Sequence, residues 1–128
     1  MNTGDLKVLR DRLLDLLCEF AYKEGDFVLS SGHYINCKPV TLHPEGALAT
    51  GRLLLSMLSA DVEAVAGLTL GADPMVTAVS VVSALGDRPI PALIVRKEAK
   101  GHGTMAYIEG PTLSEGANVV VLEDVVTT

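Results

Sequence analysis

Three short stretches of the chain carry residues whose types and spacing can do chemistry. The first is Arg96-Lys97-Glu98-Ala99-Lys100-Gly101-His102-Gly103-Thr104, three cations and a histidine in a 128-residue chain whose formal charge is −6. Such a local reversal of sign suits a multiply charged anion, because guanidinium, ammonium and imidazole groups all donate to phosphate oxygens. Gly101 and Gly103 let the stretch move. The connection from Glu98 to Gly116 is longer than the ~12–15 residues above which loops are usually functional or disordered. A solvated surface loop is the ordinary fate of a charge run, and the contrast with the acidic remainder favours phosphate binding instead.

The second stretch is Val119-Val120-Val121-Leu122-Glu123-Asp124-Val125-Val126-Thr127-Thr128, an apolar strand that delivers adjacent carboxylates and then hydroxyls. Adjacent acids repel and are costly to hold at a buried strand end without cations or hydroxyl donors. Ribose hydroxyls or a nearby metal would answer that need, and the flanking valines are expected to keep the segment inside. The third is Gly67-Leu68-Thr69-Leu70-Gly71-Ala72-Asp73-Pro74, glycines at a strand end followed by a helix start. Free amides and the helix dipole there favour an anion. Taken alone, it reads as a tight turn with Asp73 as an ordinary cap.

These stretches need elements to position them. Leu6 to Tyr22 has helical spacing of Leu6, Leu9, Leu13, Leu16, Leu17 and Phe20, and Gly25 ends it. Phe27-Val28-Leu29 and Tyr34-Ile35-Asn36 read as strands around a Ser-Ser-Gly turn, and Pro44 opens a second helix to about Ala60. Then the pattern alternates: strand at Val62 to Leu70, helix from Asp73 to Leu85, strand at Pro91 to Val95 and strand at Asn118 to Leu122. Continuous apolar runs imply strands covered on both faces, as in a parallel sheet. The expected fold is a single α/β domain over residues 1–128, a parallel doubly wound sheet with an N-terminal helix and hairpin portion. Ligands of such sheets bind outside the carboxyl ends of the strands, where all three stretches lie.

Bulk properties exclude several classes. The sequence pI near 4.9 leaves no basic footprint for nucleic acid. No apolar run reaches the ~20 residues of a membrane-spanning helix, and no signal peptide is visible. Cys18 and Cys37 have no metal-ligand spacing and fit a reduced, cytoplasmic setting as free thiols. Cys37 with His43 lacks an orienting third residue for catalysis, and His33 with His43 lacks the spacing of a metal site.

The segment Leu122 to Thr128 resembles the start of the phosphoribosyl pyrophosphate motif of type I phosphoribosyltransferases. Arg96-Lys97-x-x-Lys100-x-His102 resembles the mobile loop of orotate phosphoribosyltransferases within that group, and Phe27 to Gly32, Tyr34 to Asn36 and Gly67 to Pro74 are similar to the same family in the same order. The resemblance implies that Arg96, Lys97, Lys100 and His102 bind pyrophosphate, with Lys100 and His102 catalytic and the loop closing over a neighbouring subunit's site in a homodimer. It implies that Glu123 and Asp124 hold the ribose hydroxyls, and that Val125, Val126, Thr127 and Thr128 complete the phosphoribosyl pyrophosphate site. Thr127, Tyr34 and Ile35 would meet orotate. Mg2+ would enter with the pyrophosphate, held mainly by substrate oxygens and water rather than by the protein. The implied reaction is phosphoribosyl transfer to orotate in de novo pyrimidine synthesis. The rivals are a type I enzyme acting on a purine base and a non-catalytic phosphoribosyl pyrophosphate-binding regulator.

The sequence departs from the family in places. Gly32 runs into His33-Tyr34 about four residues early by the family's spacing, and Ser30 and Gly71 stand where some members have lysine. In the family a Gly-Gly-Ser or its near equivalent follows, cradling the 5-phosphate. With Thr128 as the last residue, the domain is expected to be truncated at its C-terminus. The cradle, a further helix, the final strands and an orotate-binding arginine would be missing, and the fragment alone would be inactive. Val120 and Leu122 would then lack cover on one face.

Overall fold

The computed structural model describes residues 2–24, 33–99, 101 and 107–126. The expected strand and turn at 27–32 and the site residues Lys100, His102, Thr127 and Thr128 lie outside the described residues.

Helix α1 (Thr3–Leu16) starts where the Asn2 side chain accepts the Asp5 amide at 2.9 Å. Its apolar stripe continues into a single wide π-turn, Leu17–Ala21, and the chain then leaves helix for strand β1 (Tyr22–Glu24). Helical spacing alone extends the helix through Tyr22. Instead the wide turn places Ala21 beside Leu16 and Val40 in one buried cluster, and Tyr22 pairs antiparallel with Ile35 of β2 (His33–Ile35). Tertiary burial overrides the local period here.

A short helix α2 (Lys38–Thr41), unmarked by periodicity, precedes α3 (Pro44–Met57). His43 is the cap between them: its Nδ1 accepts the Glu45 amide at 3.1 Å, while its ring stacks on Phe20. Arg12 of α1 bonds Glu45 of α3 at 2.7 Å. Both groups are solvent-exposed, so the pair orients the helices more than it stabilises them. Gly46 lies against the Val40 backbone and Gly51 against the Ala78 carbonyl of the next helix, so α3 packs at backbone range on both sides.

The central sheet has the order β5-β4-β3-β6. Strands β3 (Ala64–Leu68), β4 (Ala92–Val95) and β6 (Val119–Leu122) are parallel, with Val65 opposite both Ala92 and Val120. The short β5 (Ile108–Glu109), inside the long polar connection, runs antiparallel to β4. Strand β3 lies between two neighbours and is buried from Ala64 to Gly67, which is why it reads as a continuous apolar run. Helix α4 (Asp73–Ala84) joins β3 to β4 and packs with α3 over one face, where Val65, Val76, Val79, Ile90 and Leu122 form the main core. The other face holds Ala64, Ala66 and Leu93 beneath Val95, Leu113 and Val119, so the 110–117 connection rather than a helix covers it among the described residues.

That arrangement corrects the expectation for β6. Leu122 is only 8% exposed and Val120 packs on the same helical side, whereas Val121, pointing to the opposite face, is 64% exposed. Strand alternation puts Val120 and Leu122 toward α3 and α4, which are present.

The turn from α4 into β4 is tied by Ser83, fully buried. Its hydroxyl donates to the Ser80 carbonyl at 2.7 Å and accepts the Ile90 amide at 2.8 Å. Ser83→Ala removes both contacts and leaves the Ile90 N–H buried without an acceptor. A loss of about 2 kcal/mol is expected in chemical denaturation. An unchanged midpoint would mean that the Ile90 amide finds another partner.

Candidate functional site

The carboxyl ends of β3, β4 and β6 converge, and with them the three stretches singled out in the sequence. From β3, the turn at Thr69 to Ala72 rises over the sheet; the Thr69–Leu70 peptide bond is cis. The Thr69 amide donates to the Val95 carbonyl at 3.1 Å, tying this turn to the end of β4. Helix α4 then begins one residue earlier than a capping Asp73 would have it. Ala72 is the cap residue, and Asp73 instead accepts the Thr69 hydroxyl at 2.9 Å.

From β6, the adjacent carboxylates part ways. Glu123 turns back on its own backbone, its Oε1 accepting the Asp124 amide at 3.0 Å and the Val125 amide at 3.5 Å. Asp124 points at the turn after β3, so close that a Cβ on Gly71 would strike both of its carboxylate oxygens. On its other side stands the ammonium of Lys38, 3.7 Å from Oδ2. The repulsion expected of neighbouring acids is thus relieved by backbone amides for one and by a lysine for the other. Cys37, next to Lys38, has its thiol pushed up from the ordinary range by burial and then by the negative charge of Asp124. It is a free thiol, and that shift disfavours the thiolate a nucleophile would need.

From β4, Arg96 begins the cationic loop. Its amide donates to the Tyr107 carbonyl at 2.6 Å, closing the base of the loop, and its guanidinium pairs with Glu109 at 3.3 Å. Lys97 is exposed. Val125 and Val126 are exposed too, contrary to the expectation that the valines keep this segment inside. Leu122 is the last residue of β6, and beyond it, among the described residues, only Asp124 turns back inward, with its side chain 9% exposed. Ile35 is also largely exposed, away from the carboxylates' immediate contacts.

Beside this convergence, a cavity of about 580 Å³ opens between α2–α3 and α4, lined by Thr41, Leu42, Leu48, Leu70, Asp73 and Val81 among others. Thr41 Oγ1 and Asp73 Oδ1, both buried and without a hydrogen-bond partner among the described residues, belong to residues of its wall.

Comparison with known proteins reads this geometry. No family model matches the chain. An orotate phosphoribosyltransferase of Nostoc sp. is 75% identical over 98% of this chain and 63% of its own length. One of Synechocystis sp. is 66% identical over all of this chain and 67% of its own length. The chain belongs to the orotate phosphoribosyltransferase family. It spans about two thirds of the length of these relatives. Among solved structures, the Mycobacterium tuberculosis orotate phosphoribosyltransferase in complex with 5-phospho-alpha-D-ribosyl 1-diphosphate superposes with a TM-score of 0.64. It is 30% identical and matches 97% of this chain and 60% of its own.

Of the residues that the orotate phosphoribosyltransferase motifs single out, Arg96, Lys97, Glu123, Asp124, Val125 and Val126 are described and stand at or beyond the strand ends. Sequence reasoning missed Lys38 and Glu109. Neither lies in a recognisable motif, and each is defined only by a partner distant in the chain. A weak signal existed for Glu109 alone, as the one acid in a stretch that returns to the end of β4.

Proposed function

We propose that the full-length protein is an orotate phosphoribosyltransferase, transferring 5-phosphoribosyl from phosphoribosyl pyrophosphate to orotate and releasing orotidine 5′-phosphate and pyrophosphate. The observation that carries the proposal is the close approach of Gly71 to Asp124. It sets a carboxylate against a backbone turn whose Thr69 amide is bonded to the end of β4, where the cationic loop begins.

Bond breaking between ribose C1 and the pyrophosphate oxygen leaves positive charge on the ribose and an electron pair on the leaving group. A ring nitrogen of orotate then bonds to C1 and gives up its proton, which the released pyrophosphate takes. Asp124 accepts a ribose hydroxyl, and Glu123 takes the second when it exchanges its own backbone amides for it. Arg96, Lys97, Lys100 and His102 stabilise the charge growing on pyrophosphate, and a loop closed over them keeps water from the ribosyl cation. Arg96 reaches pyrophosphate by giving up Glu109. Val125, Val126, Thr127 and Thr128 carry the chain past the 5-phosphate, and Thr127, Tyr34 and Ile35 meet orotate.

The donor set suits Mg2+ arriving with its substrate. One carboxylate is committed to backbone amides and the other to a lysine, leaving phosphate oxygens and water as the main ligands of a hard cation. When bound, the ion supplies charge neutralisation at the leaving group.

A second copy of the chain is the partner we propose. The apolar cavity beside α4, with Leu42, Leu70 and Val81 largely exposed around unpaired Thr41 and Asp73 oxygens, is a surface that such a copy would cover. The proposed setting is the cytoplasm, in keeping with the free Cys18 and Cys37; among the described residues no helix is long and apolar enough to cross a membrane.

The deciding experiment supplies phosphoribosyl pyrophosphate, with and without Mg2+, and offers orotate, uracil, adenine, guanine and hypoxanthine in turn. Orotate is consumed and only with Mg2+ present. Preference for any purine would sink the assignment in favour of a purine enzyme, and binding without turnover of any base would favour a regulator.

A further inference from the structure

Lys38 lies in none of the motifs, yet it is the cation paired with Asp124 among the described residues. Its position is fixed from below. Its amide donates to Asn36 Oδ1 at 3.3 Å, its carbonyl accepts the Leu42 amide at 3.0 Å, and Val40, two residues on, is wholly buried against Leu16 and Ala21. The lysine is therefore presented by a rigid turn rather than by a free loop. The separation of 3.7 Å from Oδ2 is too long for a good hydrogen bond. Solvent reaches the pair from the Lys38 side, which is 41% exposed, while the Asp124 side chain is only 9% exposed. On the opposite side Gly71 leaves no space to spare. A short carboxylate held between a backbone wall and an ammonium carried on an anchored turn has one favoured orientation.

We propose that Lys38 is a positioning residue that sets Asp124 in its ribose-binding orientation before substrate arrives. The inference rests on the reading of Asp124 as acceptor of a ribose hydroxyl. An acceptor fixed in advance spares the ordering cost of binding. The hydroxyls it receives are the same before and during bond breaking, so the effect falls on KM for phosphoribosyl pyrophosphate rather than on kcat.

The test is a double-mutant cycle in the full-length protein with Lys38→Met, Asp124→Asn and the pair together. Lys38→Met is expected to raise KM on the order of tenfold, a coupling of ~1.4 kcal/mol, with kcat and the thermal midpoint little changed. Lys38→Arg, which keeps the charge, restores most of the affinity. In the Asp124→Asn background Lys38→Met adds nothing. If its cost persists there undiminished, Lys38 meets the substrate directly and the proposal falls; it falls also if Lys38→Met leaves KM unchanged while Asp124→Asn raises it. If Asp124→Asn itself leaves KM unchanged, the ribose role of Asp124 is what fails. Lys38→Gln, with a similar reach, replaces Met should the latter lower the thermal midpoint.

Discussion

Lys100→Ala in the full-length protein lowers kcat and kcat/KM together, by about 10²-fold, which corresponds to roughly 3 kcal/mol of transition-state stabilisation. Lys100 itself lies outside the described residues, and the expectation rests on the described ends of its loop. Arg96 and Tyr107 are joined at 2.6 Å, which anchors the base of the loop at the end of β4 and beside the Thr69 turn. A cation delivered on a loop meets the pyrophosphate most strongly when negative charge has grown on the leaving oxygen. Its loss is therefore felt in the transition state more than in the ground state. Single-turnover kinetics with saturating orotate would check this. A rise in KM alone would make Lys100 a ground-state binder, and the stabilisation of the leaving group would then have to come from elsewhere.

Gly46→Ala is expected to destabilise the protein by about 3 kcal/mol, lowering the thermal midpoint by on the order of 10 °C. The sign runs against intrinsic preference, since alanine favours helix over glycine by about 1 kcal/mol. Here the added methyl would meet the Val40 carbonyl oxygen and carbon and its Cγ1. Backbone atoms cannot step aside as a side-chain tip can, so α3 must move away from α2. That shift disturbs the cluster of Leu16, Ala21 and Val40 and, through α2, the seat of Lys38. Thermal or urea unfolding of the variant decides the matter. A gain in stability would mean that the α2–α3 approach relaxes at little cost.

How much of this was legible in the sequence depended on distance along the chain. The βαβ portion from Ala64 to Val95 could be read because each strand lies between two neighbours and forms an unbroken apolar run, and because Pro74 marks a helix start. The cationic loop and the Glu123-Asp124 pair were legible as charges out of place. What was not legible was set by contacts made elsewhere. Tyr22 leaves its helix to pair with Ile35, and the tiny α2 exists because Val40 is buried. Exposure of Val125 and Val126 follows from where the sheet ends, which hydrophobicity does not encode. The pairing of Lys38 with Asp124 joins residues from opposite ends of the chain, and no local pattern announces it.

The order of the strands also divides the framework into two closures. Strand β4 follows β3 after a single helix, so β3, α4 and β4 can form from neighbouring stretches of chain at small entropic cost. Strand β6 pairs with the same β3 across residues 96–118, a connection as long as the 69–91 segment between β3 and β4 but, among the described residues, without a helix to shorten it. Asp124 is brought to Gly71 and Lys38 only by that second closure. Folding intermediates that have lost nothing but the β3–β6 ladder would keep most of the core of α3 and α4, and would have no ribose-binding carboxylate in place.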